Sequence, residues 1–283
     1  MTGAPPYAIE RVNGVDVRIT RAPGKPLMLL TRMASGGMGI WDAVWADVAR
    51  YYTVANFDLV GAAKLEADLP ARERFLALAD VTADVAAQLG FERFSVFGWY
   101  GGAHVALACL ARHAERIRSC LLLDPFFELP DMRKIEKAIE FKRVLYEHPD
   151  RELYSYYWVM AGFSPRFMET DFDTIERLAK ARVQADRFVS LDTTRWLRWV
   201  RALRTNWLVD ADFARMTAPT LVLATELDSW HAGPTVGMAE ALARRLPNAE
   251  LELVAGFGTF FFTEDPDRFR ALAGRFLERH GGN

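Results

Sequence analysis

The segment from residue 94 to residue 112 places the strongest constraint on the fold of this chain. Phe94–Trp99 is an apolar run typical of a buried strand, and Gly101–Arg112 has the composition of a buried helix. They are joined by the sequence Gly-Trp-Tyr-Gly-Gly at 98–102. Glycine permits backbone conformations and close approaches that other residues resist. The spacing therefore predicts a sharp strand-to-helix turn that exposes the side chain of Tyr100.

Strands and helices alternate along the rest of the chain. The predicted strands are 7–13, 15–20, 25–30, 52–57, 94–99, 117–123, 221–224 and 251–254, and the predicted helices are 41–49, 72–89, 101–112, 234–246 and 266–279. Such alternation is typical of an α/β protein with a mostly parallel sheet, here eight-stranded, covered by helices on both faces. Residues 126–215 lack a clear strand and are rich in aromatic residues. We predict that they form a helical cap inserted into a core of 1–125 and 216–283.

Composition excludes several classes of function. The net charge is −2 and 25% of the residues are charged, so nothing indicates a nucleic-acid or anionic-membrane partner. Cys109 and Cys120 lie in apolar runs typical of core cysteines, and no His/Cys cluster has metal-ligand spacing. The first residues lack the pattern of a signal peptide. We expect a cytoplasmic protein that binds a small molecule and uses no cofactor or metal. It can form a homodimer.

Five landmarks in order resemble the α/β-hydrolase superfamily, in particular its capped branch. They are the loop before Trp41-Asp42, Asp58-Leu-Val-Gly61, Gly98-Trp-Tyr-Gly-Gly102, the strand ending near Asp228, and Gly256-Phe-Gly-Thr-Phe260 with Glu264-Asp-Pro266. The resemblance covers nearly the whole chain. It implies a nucleophile at the Gly-x-x-x-Gly turn, an acid after the strand near 228, and a histidine in the loop around 259.

The chain departs from this family pattern at two of the three triad positions. Tyr100 stands where the family has serine, and Thr259 stands where it has histidine. A phenol has a reference pKa of about 10, and threonine is no general base near neutral pH. Only the acid, Asp228, is retained. We therefore predict a degenerate catalytic triad that cannot form an acyl-serine.

Four residues are predicted to be catalytic: Tyr100, Asp228, Thr259 and His231. Tyr100 is an acid, a hydrogen-bond donor to a ligand, or a filler of an abandoned pocket. Asp228 pairs with Arg32, Tyr100 or Thr259, or else is a solvated loop aspartate. His231 is a candidate base because it follows Asp228 by three residues. His104 lies in an apolar helix, where a histidine is more often a core residue with satisfied hydrogen bonds than a catalytic one.

The resemblance also predicts groups that would hold a substrate. Backbone N–H groups of Gly101 and of Met33 or Ala34 would form an oxyanion hole. The predicted substrate-binding residues are Arg32, Trp99, Asp124, Trp158 and Trp199. Arg32 either holds a substrate carboxylate or forms a salt bridge with Asp58 or Asp228. Asp124 is either an alternative acid or part of a turn with Pro125, and Trp199 lies on the aromatic face of a predicted cap helix.

Three functions fit these residues. The first is an enzyme of isomerase, lyase or cyclase type that performs acid/base chemistry on a small, mostly apolar carbonyl compound. The second is an inactive relative that binds a ligand or partner. The third is a residual hydrolase in which Asp124 or Asp228 acts as a base on water.

Overall fold

The computed structural model describes residues 7–32, 41–59, 69–127, 137, 140–141, 143–145, 147–186, 206–228 and 235–282. Its centre is a sheet of eight strands in the order β1-β2-β4-β3-β5-β6-β7-β8. The strands are β1 (Ala8–Val12), β2 (Val15–Thr20), β3 (Leu27–Thr31), β4 (Thr53–Phe57), β5 (Phe94–Trp99), β6 (Ile117–Leu123), β7 (Thr220–Thr225) and β8 (Ala249–Val254). The strands from β4 to β8 in this order pair in parallel, and β1 and β2 are antiparallel. The predicted fold class is confirmed.

The antiparallel edge begins with a tight hairpin. Asn13 and Gly14 both have positive φ, at 50° and 79°, and they connect β1 directly to β2. Two central residues with positive φ are the requirement of the hairpin turns that match the twist of the strands. The Asn-Gly pair therefore fixes the register of this edge.

Helices cover the sheet. They are α1 (Asp42–Ala49), α2 (Ala71–Gln88), α3 (Gly101–Arg112), α4 (Arg151–Met160), α5 (Pro165–Thr170), α6 (Phe172–Asp186), α7 (Asp210–Arg215), α8 (Thr235–Arg245), α9 (Phe261–Glu264) and α10 (Pro266–Gly281), with a 3-10 turn at Ala114–Arg116. Alternate strand residues enter different clusters: Leu29 and Val96 pack with α2 and α3, whereas Leu30 and Phe97 pack with α1 and α10. Both faces of the sheet are thus buried under helices.

The described residues between β6 and β7 contain helices and no strand, as the sequence predicts. Both ends of this insertion pack into the core. Phe127 and Phe213 have ring centroids 5.6 Å apart, and both belong to the buried cluster on the α2–α3 face. The division into a core and a cap at 126 and 215 stays a prediction. Within the described ranges, no helix combines the length and apolarity needed to cross a bilayer.

Candidate functional site

A strained turn places Tyr100 at the carboxyl edge of the parallel strands, where open α/β sheets bind their ligands. Tyr100 lies between β5 and α3 with φ 57° and ψ −119°. Two backbone hydrogen bonds hold it: its N–H donates to the carbonyl of Leu123 and its own carbonyl accepts from Ala103, both at 2.9 Å. Positive φ in an aromatic residue costs about 1–3 kcal/mol and persists only when the surroundings enforce it. The turn therefore holds the Tyr100 side chain in a fixed direction.

The Tyr100 hydroxyl meets a carboxylate. It donates a hydrogen bond to Oδ2 of Asp228 at 3.3 Å. Asp228 lies three residues after β7 and is only 7% exposed, whereas Tyr100 is half-buried. Of the three partners considered for Asp228 from sequence, the structure shows Tyr100. A phenol and a carboxylate in contact can exchange a proton with each other and with a bound molecule.

Thr259 belongs to a second polar group, which is fully buried. Its hydroxyl donates to Oδ2 of Asp124 at 2.5 Å and accepts from Nε1 of Trp99 at 2.9 Å. The other carboxylate oxygen of Asp124 accepts from the Thr225 N–H at 2.7 Å and from the Thr225 hydroxyl at 3.0 Å. Thr259 and Asp124 have no exposed surface. The two predicted carboxylates are therefore bonded to different predicted site hydroxyls, Asp228 to that of Tyr100 and Asp124 to that of Thr259.

Burial sets the protonation of Asp124. It raises the pKa of this carboxyl to about 6, although the hydrogen bonds from Thr259 and Thr225 oppose the shift. The folded state therefore binds the proton more tightly than the unfolded chain. As a result, the contribution of Asp124 to stability is largest in acid and falls as the pH rises through 6.

We expect the variant Asp124→Asn to lose this pH dependence. An amide can accept from Thr225 and donate to Thr259, whose hydroxyl can rotate. Between pH 4 and pH 7 the unfolding free energy of the wild type should fall by about 2 kcal/mol relative to the variant. Urea unfolding of both proteins at unit pH steps measures this difference. A difference that stays constant over the range would contradict the assignment.

An aromatic cluster joins the two hydrogen-bonded pairs to the helical insertion. Trp99 is 1% exposed, and its ring lies 6.5 Å from Tyr100 and 6.3 Å from Trp158 between centroids. The Arg32 guanidinium carbon lies 5.2 Å from the Trp99 ring and 5.1 Å from the Trp158 ring. Arg32 and Trp158 are half-buried, but the Nη1 and Nη2 atoms of Arg32 have almost no accessible surface. Trp99 and Asp124 offer almost no surface to a ligand, so their predicted substrate contacts gain no support from the geometry.

His104 has a structural position. Its Nδ1 accepts a hydrogen bond from Nε1 of Trp207 at 2.9 Å, which places the proton of a neutral ring on Nε2. The ring stacks on Phe75 at 5.1 Å and meets the edge of Phe126 at 4.8 Å. His104 is 1% exposed. It therefore fixes the returning end of the insertion against α3.

Two contacts that the sequence analysis missed attach the insertion to the site. Glu264 accepts from the N–H of Ser164 at 2.8 Å and from its hydroxyl at 2.5 Å, and the N–H of Phe260 donates to the carbonyl of Gly162 at 2.9 Å. Ser164-Pro165 at the start of α5 is a typical helix-start sequence, and it could have indicated Ser164 as one of these contact residues. Arg182 on α6 was also missed; its guanidinium carbon lies 4.0 Å from the Trp158 ring.

Other predicted site residues lie outside the described residues: Met33, Ala34, Trp199 and His231. Gly101 begins α3 next to Tyr100, the position required for its predicted role as a backbone donor. In the described part of the chain, no three His, Cys, Asp or Glu residues come together as metal ligands would.

The fold agrees with comparisons to known proteins. A model of the Alpha/beta hydrolase family matches residues 33–272, so the chain belongs to this family. It is 23% identical over 277 residues to "Putative carbamate hydrolase RutD" of Caulobacter vibrioides, covering 95% of this chain and 97% of that protein. It is 26% identical over 263 residues to the protein of the same name from Pseudomonas savastanoi pv. phaseolicola, with coverages of 89% and 93%. Among solved structures it is similar to MGS-M2, an alpha/beta hydrolase enzyme from a Medee basin deep-sea metagenome library, with 18% identity, coverages of 95% and 97%, and a TM-score of 0.74.

Proposed function

We propose that this chain hydrolyses a small, mostly apolar carbonyl compound by direct attack of water, with Tyr100 and Asp228 as its acid/base pair. The hydrogen bond between these two side chains, at a turn held in a strained conformation, carries the proposal. Strain of this kind is concentrated at functional sites, where the surrounding structure maintains it. A side chain at position 100 that only filled an unused pocket would need neither the strained backbone nor the hydrogen bond to a carboxylate.

The reaction class follows from the family. The chain belongs to the Alpha/beta hydrolase family, and the relatives cited above carry names of hydrolases. This favours hydrolysis over the isomerase, lyase or cyclase chemistry that the altered triad suggests by itself. The name of the RutD proteins places carbamates, beside esters and amides, among the substrates that we propose to test.

The proposed mechanism uses no covalent intermediate. Asp228 takes a proton from water while the water oxygen attacks the carbonyl carbon, and the backbone N–H of Gly101 stabilises the negative charge on the carbonyl oxygen. When the C–O or C–N bond breaks, the Tyr100 hydroxyl gives its proton to the leaving group and takes one from Asp228. One water is consumed, an acid and an alcohol or amine are released, and both side chains return to their starting states.

The proposal includes a degenerate triad. Tyr100 stands where the family pattern has a nucleophilic serine, and the hydroxyl of Thr259 is already bonded to Asp124 and Trp99. A triad requires a base within hydrogen-bond reach of its nucleophile. The Tyr100 hydroxyl donates to Asp228, whereas the Thr259 hydroxyl donates to Asp124, so the chemistry is assigned to Tyr100 and Asp228.

We expect turnover of an activated substrate without a covalent adduct. Nitrophenyl esters and a nitrophenyl N-methylcarbamate should release nitrophenol at a steady rate, with no stoichiometric burst. Intact-mass spectrometry after exposure to a serine-reactive phosphonate should show an unmodified chain. The double variant Tyr100→Ser/Thr259→His restores both family residues. It is exposed to the same phosphonate, so that its labelling can be compared with that of the wild type. A burst in the wild type, with an acyl group on the chain, would overturn the mechanism.

A second function, ligand binding without catalysis, is favoured by the buried state of Thr259. The Thr259 hydroxyl is hydrogen-bonded to Trp99 and Asp124, and these bonds anchor the loop that carries it. In this case a small molecule would raise the melting temperature while no acyl substrate is converted. Stabilisation without turnover over the whole substrate panel would select this function and reject the hydrolase.

A further inference from the structure

A carboxylate at the end of the short helix α9 fastens the insertion to the rest of the chain. Glu264 accepts two hydrogen bonds from Ser164, which lies between α4 and α5. The Ser164 N–H reaches Oε1 at 2.8 Å, and the Ser164 hydroxyl reaches Oε2 at 2.5 Å. The same hydroxyl accepts from the N–H of Phe167 at 3.2 Å, so the hydrogen bonds continue into α5. Ser164 is only 2% exposed, and bonds to a charged acceptor are among the stronger ones in proteins.

The two segments joined by this carboxylate are also in direct backbone contact. The N–H of Phe260 donates to the carbonyl of Gly162 at 2.9 Å. A Cβ atom built on Gly258 would lie 2.4 Å from the same carbonyl oxygen, so a glycine is needed for this approach. The rings of Phe163 and Phe260 stack at 4.8 Å between centroids, and both residues are 3% exposed. Glu264 therefore belongs to a closely packed interface and is not an isolated surface contact.

The end of α4 connects this interface to Trp158. Three consecutive N–H groups after the helix donate to carbonyls of its last turn at 2.9 to 3.1 Å: Ala161 to Tyr157, Gly162 to Val159, and Phe163 to Met160. The backbone between Trp158 and Ser164 is thus held by a series of hydrogen bonds and has little freedom to change direction. A displacement of Ser164 should therefore move the last turn of α4 and the Trp158 ring with it.

Trp158 brings the insertion to the proposed site. Its ring centroid lies 6.3 Å from that of Trp99, and the Trp99 centroid lies 6.5 Å from that of Tyr100. The Trp158 ring also meets the ring of Phe260 edge-on, at 5.6 Å between centroids. Trp158 is half-buried, and aromatic side chains with some exposed surface are typical of the walls of small-molecule pockets.

We propose that Glu264 is a positioning residue: through its bonds to Ser164 it holds the Trp158 ring in place as one wall of the substrate pocket. The contact between Trp158 and a substrate rests on the proposed hydrolysis, whereas the effect of Glu264 on Trp158 does not. In the family pattern the loop around residue 259 supplies a histidine. Here the Thr259 hydroxyl is bonded to Asp124, and the same loop attaches the insertion and shapes the pocket.

The test is fluorine NMR of the full chain labelled with fluorotryptophan, with the Trp158 signal assigned by the variant Trp158→Phe. Glu264→Ala removes both acceptors, so the Trp158 signal should shift and broaden. The signal of Trp207, which packs in the cluster on the other face of the sheet, should stay in place. Glu264→Gln should largely restore the wild-type signal, because its amide oxygen can accept from the Ser164 N–H while its amide group donates to the hydroxyl.

Asp171→Ala is the matched control. The two carboxylate oxygens of Asp171 also accept from the N–H and the hydroxyl of one residue, Thr174, at 3.2 Å and 2.8 Å, but both residues belong to the insertion. This variant loses the same pair of bonds and keeps the insertion attached, so the Trp158 signal should be unchanged. Ser164→Ala removes one of the two bonds to Glu264, should have an intermediate effect, and carries the test if Glu264→Ala does not fold.

Two results of the NMR experiment would overturn the proposal. One is a folded Glu264→Ala protein whose Trp158 signal is that of the wild type. The other is an equal change of this signal in Asp171→Ala, which would show that any lost pair of bonds in the insertion disturbs the ring. Thermal unfolding of each variant separates both results from a general loss of stability, which would not move the Trp158 signal of the folded protein.

Kinetics distinguish this inference from the proposed function. With a nitrophenyl ester, Glu264→Ala should raise KM about tenfold, the size of a lost aromatic contact, and leave kcat within about twofold, because only uniform binding is lost. A displaced Trp158 signal with unchanged KM would remove Trp158 from the pocket and overturn the proposal. If the signal moves and the wild type hydrolyses no ester, Glu264 still positions Trp158 and the hydrolase fails. If the wild type hydrolyses the ester and Glu264→Ala keeps both its KM and the Trp158 signal, the hydrolase stands and the positioning role fails.

Discussion

Replacing Tyr100 by phenylalanine should reduce kcat/KM for the hydrolysed substrate by about 100- to 10,000-fold, the usual contribution of a positioned acid or base. The substitution removes one oxygen atom and with it the hydrogen bond to Asp228. Asp228→Asn should cause a loss of the same size, because an amide cannot take a proton from water. The double variant should be little worse than either single variant, since residues that act as one unit are not additive.

The matched control is Tyr52→Phe. Tyr52 is fully buried, and its hydroxyl lies 3.4 Å from the Ser119 hydroxyl, which keeps a second contact with Ser95 at 2.8 Å. The same oxygen is removed, but at a distance from the site, and kcat/KM should be unchanged. Circular dichroism and thermal unfolding establish that each variant is folded. A Tyr100→Phe protein that is folded and retains wild-type kcat/KM would exclude the phenol from catalysis.

The sequence predicts the sheet well because its strands are short apolar runs between glycines and polar turns. The predicted bounds of β5, β6 and α3 lie where apolar residues give way to polar residues or glycine, and the structure reproduces all three. The order of the strands in the sheet is a different kind of information. It depends on crossovers between distant segments, and it follows here from the resemblance of the whole chain to a known family.

The pairing of the site residues could not be predicted from sequence. Asp124 and Asp228 follow the neighbouring strands β6 and β7, so both reach the same edge of the sheet. Which hydroxyl each one meets depends on the path of its loop. Asp124 has φ 45°, a backbone state that its residue type permits but does not require. The sequence therefore indicates two acids and two hydroxyls, and only the structure divides them into pairs.

Arg182 shows how far the contacts of the helical insertion can be predicted from sequence. It lies on a helix that also carries Arg177 and Lys180. Such a charge run is usually a solvated face. Its contact with Trp158 joins α6 to α4, and no local pattern encodes a contact between two helices at this level of detail. The charge of the site is thus set by tertiary packing rather than by a motif.

The variant Gly102→Ala should have the largest effect on stability. A Cβ atom on Gly102 would lie 1.9 Å from the carbonyl oxygen of Thr31, which is part of the central strand β3 and is not a movable side chain. The Thr31 hydroxyl also donates to the carbonyl of Gly102 at 3.0 Å, so the two segments are bound together. Relief requires a shift of α3 away from β3. We expect a loss of at least about 3 kcal/mol in the free energy of unfolding, at the upper end for overpacked sites.

The control for this variant is Gly274→Ala within α10. No atom lies within 4 Å of a Cβ built on Gly274. Alanine in a helix is favoured over glycine by about 0.5–1 kcal/mol, so this variant should be slightly more stable than the wild type. Urea unfolding of the two variants measures both effects, and they should have opposite signs. A Gly102→Ala protein as stable as the wild type would show that the strand and the helix at the Tyr100 turn are not held in contact, and the strain that supports the catalytic proposal would then be absent.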